Sequence, residues 1–246
     1  MSSAAGSGVD PWESNAAWWQ AGFTDGADPE YEEQILPMAA RHLAGARRVL
    51  DVGTGEGQLA RVAARLGCQV VGLDPTPDQG AEAVERAGGP AYVLAGAAPL
   101  PVRTASVDCV MACLVFEHIR DVDLALAEVA RVLEPGGRFL FFLNHPLLQT
   151  PNSGWIDDMI LEEQYWRIGP YLVEDETMEE VEKDVFLPFI HRPLSRYVNG
   201  LSKHGVLITE MVEPAPPPGF LARAEEYLAA ASIPRLLFLR GEKLRD

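Results

Sequence analysis

Two carboxylates and three glycines at fixed spacing carry the clearest chemical signal in this chain. The run Val49-Leu50-Asp51-Val52-Gly53-Thr54-Gly55-Glu56-Gly57 joins an apolar stretch of strand length to a glycine-rich turn. A second such stretch, Val70-Val71-Gly72-Leu73-Asp74, follows after a helical pattern. This is the outline of a β-α-β nucleotide site. Glycines let the backbone turn sharply and approach a ligand closely, and Asp74, with Pro75 behind it, ends the second strand where a ribose would offer its hydroxyls. The spacing separates two ligand classes. A dinucleotide fingerprint requires G-x-G-x-x-G, whereas here the third glycine comes one residue early and Gln58 stands in the required place. Asp51, inside the first strand, is a poor neighbour for a pyrophosphate and favours a ligand with a cationic end.

Other reactive side chains are scattered. His145 follows the fifth predicted strand directly, at the carboxyl edge where open α/β sheets bind ligands, and is the candidate general base. His118 reads as a packing or capping histidine, Cys113 as a core thiol, and Glu56 as a solvated acid favoured by the helix dipole. Asp157-Asp158 suggests a divalent metal, but no accompanying ligand set is evident, so none is expected. All five tryptophans, Trp12, Trp18, Trp19, Trp155 and Trp166, fall outside the predicted sheet and helices. They read equally well as an apolar roof over the site or as staples holding lids to the core. Trp19, Trp155, Tyr165 and His191 are the candidate substrate contacts, and Arg192 is a structural or lid residue.

These residues need a scaffold, and the hydrophobic periodicity supplies one. An opening helix spans 30–44, and the first strand is 48–52. The helix after it buries Leu59, Val62, Ala63 and Leu66 and stops at Gly67. Thr76-Pro77-Asp78-Gln79 has the form of a capping box that starts a helix running to about residue 87. Strands follow at 91–95 and 107–112, then a helix at 122–133 presenting Val122, Leu126, Val129 and Leu133. The turn Glu134-Pro135-Gly136-Gly137 leads into the strand 138–143, apolar enough to be buried on both faces. Strands alternating with helices give an α/β, doubly wound parallel sheet with right-handed crossovers. Residues 146–194 break the rhythm as an acidic, aromatic-containing insertion. A last helix at 195–204 and strands at 206–213 and 235–240 close the chain. One domain is expected over 1–246, with 1–29 as an N-terminal lid, 30–145 as the cofactor-binding core, 146–194 as a substrate lid and 195–246 as the closing helix and strands.

Composition narrows the partners. The chain has 246 residues, 48% of them hydrophobic, which suffices for one large core. Its formal net charge is -16 and no Lys/Arg cluster is present. Long nucleic acid and anionic membrane surfaces are therefore disfavoured as partners, and a small-molecule substrate is expected. Cys68, Cys109 and Cys113 fit buried thiols better than a disulfide framework. With no signal-peptide pattern at the N-terminus and no apolar run of membrane-span length, the expected location is the cytoplasm. Residues 1–10 read as a disordered arm. The oligomeric state stays open.

From 49 to 143 the chain resembles the small-molecule branch of the class I S-adenosylmethionine-dependent methyltransferases. The first run matches that family's D-x-G-x-G-x-G motif. Leu100-Pro101 with Ser106-Val107-Asp108 resembles its segment after strand three, and Leu114-Val115-Phe116-Glu117-His118 its loop after strand four. Glu128 to Gly137 resembles its E-x-x-R-V-L-x-P-G-G element. The resemblance implies a Rossmann-like sheet of seven strands, mostly parallel with an antiparallel last strand, and S-adenosyl-L-methionine as cofactor. It also implies cofactor contacts from Asp51, Gly53, Gly55, Gly57, Asp74, Pro75, Ala97, Ala98 and Ala112. One departure stands out: the family's acidic residue in a G-D-A segment is replaced by Gly96, which leaves adenine to the backbone N–H of Ala97 and to stacking on Leu100. The implied activity is methyl transfer to a small aromatic or amphipathic metabolite. A binding protein without catalysis and an NAD-dependent oxidoreductase are the alternatives.

Overall fold

The computed structural model describes residues 10–223 and 230–245. Most of the arm read as disordered, residues 1–9, lies outside the described residues. Eleven strands are described: β1 (Arg48–Val52), β2 (Gln69–Asp74), β3 (Ala91–Leu94), β4 (Val107–Cys113), β5 (Leu133–Asn144), β6 (Gly154–Asp158), β7 (Glu163–Arg167), β8 (Asp175–Glu182), β9 (Val185–His191), β10 (Val206–Val212) and β11 (Leu236–Lys243). Seven of them form one sheet in the order β10-β11-β5-β4-β1-β2-β3. β1 pairs in parallel with β2 and β4, and β4 with β5, while β11 runs antiparallel to both of its neighbours. The sheet is therefore Rossmann-like, with only the last strand reversed. The order turns back between β1 and β4, and this switch point opens a crevice at the carboxyl edge.

The helices follow the expected stripes closely. The first two, α1 (Pro11–Ser14) and α2 (Ala16–Phe23), belong to the N-terminal segment. The opening helix is a π-helical turn, Tyr31–Ile35, running into α3 (Leu36–Leu43). α4 (Gln58–Arg65) buries Leu59, Ala60, Val62 and Ala63, but it ends before Leu66, which turns out to solvent. α5 (Pro77–Arg86) starts where the sequence places it, although Thr76 makes no side-chain cap. α6 (Val122–Val132) is capped by the Asp121 carboxylate, which accepts from the Leu124 N–H at 3.1 Å. α7 (Leu194–Lys203) buries Tyr197 and Leu201. A short α8 (Pro218–Leu221) precedes the last strand. The core has two apolar layers on opposite faces of the sheet, one holding Phe139 and Phe141 with α6 and α7, the other Phe142 and Phe238 with α3 and α4.

The E-x-x-R element has a structural task. Arg131 chelates Glu128 at 2.6 and 2.7 Å and donates to the carbonyls of Leu100 and Val102, while Glu128 accepts the Leu100 N–H at 2.7 Å. These bonds pin the loop after β3 against α6.

The insertion consists of two hairpins, β6–β7 and β8–β9. In β9, Leu187, Phe189, Ile190 and His191 are buried, so this hairpin packs on the body. It also meets the N-terminal segment, where Trp18 Nε1 donates to Glu182 at 2.6 Å and Asn15 to the Phe186 carbonyl at 3.3 Å. In β6–β7, by contrast, Trp155 faces Trp166 edge-on at 5.5 Å, and the tip residues Met159 and Ile160 are 87% and 92% exposed. No helix is long and apolar enough to cross a membrane among the described residues.

Candidate active site

The site begins with the turn after β1. Gly53 and Thr54 donate their N–H groups to the Leu73 carbonyl at 2.8 and 2.9 Å, which folds the turn onto β2. Gly53 has φ +69°, and a Cβ there would collide with the Val115 side chain, so only glycine fits. Gly55 follows at φ +55° and donates to Asp74 Oδ2 at 2.9 Å, while Asp74 Oδ1 accepts from the Thr76 N–H at 2.9 Å. Asp74 therefore ties the glycine turn to the next helix and keeps lone pairs free for a ligand.

Above this turn lies a cavity of about 230 Å³. Its wall includes Asp51, Gly53, Gly55, Asp74, Pro75 and Ala97 from the expected cofactor set, together with Thr54, Gln79, Val115 and Ile119. Asp51 is buried, accepts a hydrogen bond from the Thr54 hydroxyl at 2.7 Å and has no basic partner among the described residues. Burial pushes its pKa up to about 7, and neighbouring Asp74 adds to the rise. Burial also raises Asp74 above the usual carboxylate range, despite its hydrogen bonds. These features fit a ligand with a cationic end over Asp51 and a ribose at Asp74. Gly55 lines the same wall with no atom within 3.5 Å of where its Cβ would stand, the nearest being Trp19 Nε1 at 3.9 Å.

A second cavity, of about 220 Å³, adjoins the first. The two share Trp12, Trp19, Tyr31, Leu114 and His118 as common wall. Trp18, Phe23, Ile35, Leu187, Phe189 and Leu236 make the rest of the second cavity mostly apolar, with Asp28, Glu30, Asn144 and Arg235 as its polar groups. Both acids there are already paired, Glu30 with Arg235 at 3.0 Å and Asp28 with Arg223 at 3.6 Å. Trp19 stacks on Phe23 at 4.3 Å and meets Trp12 and Tyr31 edge-on. Burial holds the Tyr31 hydroxyl well above its ordinary pKa.

Several expected site residues lie elsewhere. His145 lines neither cavity: its Nε2 is 2.7 Å from Glu213 and its Nδ1 accepts from the Leu147 N–H at 3.2 Å, so both ring nitrogens are engaged. The chain leaves β5 toward β11, where the Arg235 carbonyl takes the His145 N–H at 2.7 Å, and this carries the ring away from the crevice. His191 is buried under the insertion and donates through Nε2 to the Tyr171 carbonyl at 2.8 Å. Trp155 and Tyr165 belong to the outlying β6–β7 hairpin and line neither cavity. Gly57 caps α4, Ala98 packs against the core and Ala112 is fully buried in it, so none of the three lines the first cavity. Leu100, expected against adenine, is likewise a core residue. Glu56 is not solvated: it is buried between Arg61 at 2.6 Å and Arg86 at 3.1 Å. Among the described residues no cluster of three or more metal-ligating side chains is present.

His118, read from the sequence as a packing or capping histidine, packs on Trp12 and Phe189 and also lines both cavities. It ends a 3-10 turn, Phe116–His118, after β4, and its Nδ1 is 2.7 Å from the Pro188 carbonyl. Its signals in the sequence were its position at the carboxyl edge and its place at the end of the Leu114–His118 motif. Tyr31 and Trp12 had no motif at all.

A methyltransferase domain family matches residues 50–141. That segment is the Rossmann-like core, and it is similar to S-adenosylmethionine-dependent methyltransferases. An uncharacterized methyltransferase of Mycobacterium tuberculosis is 37% identical over 133 residues, covering 53% of this chain and 50% of that protein. The ubiquinone biosynthesis O-methyltransferase of Rhizobium rhizogenes is 36% identical over 105 residues, covering 41% of this chain and 42% of its own. The chain spans about half the length of the curated relatives it matches. Among solved structures, an S-adenosylmethionine-dependent methyltransferase from Mesorhizobium loti superposes with TM-score 0.72 at 26% identity, covering 85% of this chain and all of that one. The family match thus spans most of β1 to β5 and the Asp51–Asp74 side of the first cavity, while the N-terminal segment and β8–β9 lie outside it.

Proposed function

We propose that the protein is an enzyme that transfers a methyl group from S-adenosylmethionine to a small aromatic or amphipathic metabolite. The observation that carries this reading is the pair of adjoining cavities, one floored by Asp51 and Asp74, the other walled by aromatic rings. Asp51 would face the cationic amino-acid end of the cofactor and Asp74 the ribose, with Gly53, Gly55, Pro75 and Ala97 forming the surface between. When bound, the cofactor supplies an electrophilic methyl carbon on a positively charged sulfur, so the protein's contribution is mainly placement and exclusion of water. The aromatic wall presents flat apolar surface to the acceptor. Segments 10–29 and 146–194 are read as lids, the first and the β8–β9 part of the second lying against the acceptor cavity.

Two measurements test the reading. Calorimetry should detect S-adenosylhomocysteine and not NADH; the reverse result would assign the site to an oxidoreductase. Incubation with radiolabelled S-adenosylmethionine and fractionated small metabolites should move label into a low-mass product. Tight cofactor binding with no labelled product in any fraction would make the chain a binding protein instead.

A further inference from the structure

The shared wall between the two cavities contains one side chain with an uncommitted basic atom. His118 is fixed at three points. Its Nδ1 lies 2.7 Å from the Pro188 carbonyl, and its ring meets Trp12 and Phe189 edge-on at 4.7 and 4.6 Å. A carbonyl only accepts, so Nδ1 carries the proton and the neutral ring presents an unprotonated Nε2. Among the described residues no donor reaches that nitrogen. Burial lowers the His118 pKa, against the smaller opposing effects of Glu117 and the Pro188 bond, which keeps the ring neutral near pH 7. The turn beneath it is rigid as well. Arg192, itself buried, donates to the Phe116 and Ile119 carbonyls at 3.0 and 2.7 Å, and Glu117 is tied to Asn144 at 2.8 Å.

Resting on the methyltransferase reading, we propose that His118 is the general base of the reaction and that the acceptor is a flat, neutral aromatic hydroxyl compound whose O–H is presented to Nε2 from the second cavity. The chemistry of the wall argues for that class. A carboxylate or thiolate acceptor would carry no proton for Nε2 to take. An ammonium acceptor would need an unpaired anion in the second cavity, and both carboxylates there are held by arginines. A phenol-type hydroxyl keeps its proton at pH 7 and needs a base as its oxygen becomes a nucleophile. The oxygen forms its bond to the methyl carbon as the carbon–sulfur bond breaks, and the electron pair of that bond leaves with the neutral thioether. The hydroxyl proton passes to Nε2, and the resulting imidazolium returns it to water.

The test uses 2-naphthol and 2-methoxynaphthalene, which share the ring system and its oxygen but differ in that a methyl group replaces the proton in the second. Both are titrated into protein saturated with S-adenosylhomocysteine. Wild type should bind 2-naphthol about tenfold more tightly, the value of one buried hydrogen bond with a partner otherwise left unsatisfied. In ¹⁵N-histidine-labelled wild type, 2-naphthol but not its methyl ether should shift the Nε2 resonance of an imidazole with Nδ1 protonated and Nε2 bare. His118→Ala should remove the preference and that resonance. Equal affinity for the two compounds in wild type, no binding of 2-naphthol, or a preference that survives in His118→Ala would overturn the inference. Failure to bind S-adenosylhomocysteine at all would instead strike the methyltransferase reading. The wild-type spectrum and affinity ratio stand even where the variant fails to fold.

Discussion

At the scale of single residues, Asp51 and Asp74 do different work from the same wall. Asp74 already accepts two backbone N–H groups, so it shapes the glycine turn before any ligand arrives. Asp74→Ala should therefore weaken S-adenosylhomocysteine by about 1.5 to 3 kcal/mol in calorimetry, roughly ten- to a hundredfold, and Asp74→Asn by less. Asp51 is a buried acid with its pKa raised to about 7 and no basic partner among the described residues. Because its folded pKa lies above its unfolded value, its stabilising contribution is complete below about pH 4 and is lost as pH rises through about 7. A ligand with a cationic end reverses that cost by pairing with the ionised form. Cofactor affinity should accordingly rise between pH 6 and 8 with proton release, and Asp51→Asn should flatten the rise; a pH-independent wild-type affinity would remove Asp51 from that role. Gly96 has open space around its missing Cβ and no positive φ, so Gly96→Asp can place a carboxylate without strain. It should tighten S-adenosylhomocysteine by about 1 to 2 kcal/mol if adenine lies beside it. Asp51, Gly53, Gly55 and Asp74 were legible because their spacing is set by a local turn. Trp12, Tyr31 and His118 were not, because their place depends on which distant strand passes over them.

At the scale of elements, the sheet strands and their helices were readable from periodicity alone, while the insertion was not. In β8, Asp-Glu-Thr-Met-Glu-Glu-Val-Glu, acids mask the alternation that marks a half-buried strand, and only its partner β9 buries side chains deeply. Of the substrate lid expected over 146–194, only β8–β9 reaches the second cavity: Trp155 and Trp166 pack edge-on against each other across β6–β7, and α1, α2, β8 and β9 contribute to the cavity wall. Hydrogen exchange should follow the contacts rather than the aromatic count. On adding S-adenosylhomocysteine, residues 12–31 and 175–191 should gain protection together, since Trp18 and Asn15 link them. Residues 154–167 should stay unchanged. Protection gained in β6–β7 alone would return the lid to that hairpin.

At the scale of the whole molecule, the net charge of -16 must be held together by the fold. Arginines are spent locally: Arg61 and Arg86 on Glu56, Arg120 on Glu176, Arg196 on Asp123 and Glu174. Two effects of salt then oppose each other. Screening weakens these pairs, but exposed pairs contribute only about 0 to 1 kcal/mol each, and the Glu56 pairs are sheltered by burial. Screening also relieves repulsion among the excess carboxylates, which acts over the whole surface and is concentrated in the eleven acids of residues 157–184. Between about 0.01 and 0.1 M salt the screening length falls from about 30 to about 10 Å. Repulsion, the longer-ranged effect, should therefore lose more than the pairs do. The melting temperature should rise by a few degrees over that range in a calorimetric scan, and the rise should shrink in a variant carrying Glu179→Gln, Glu180→Gln and Asp184→Asn. A melting temperature that falls with salt would mean that the arginine pairs, not the excess acids, dominate the electrostatics of this fold.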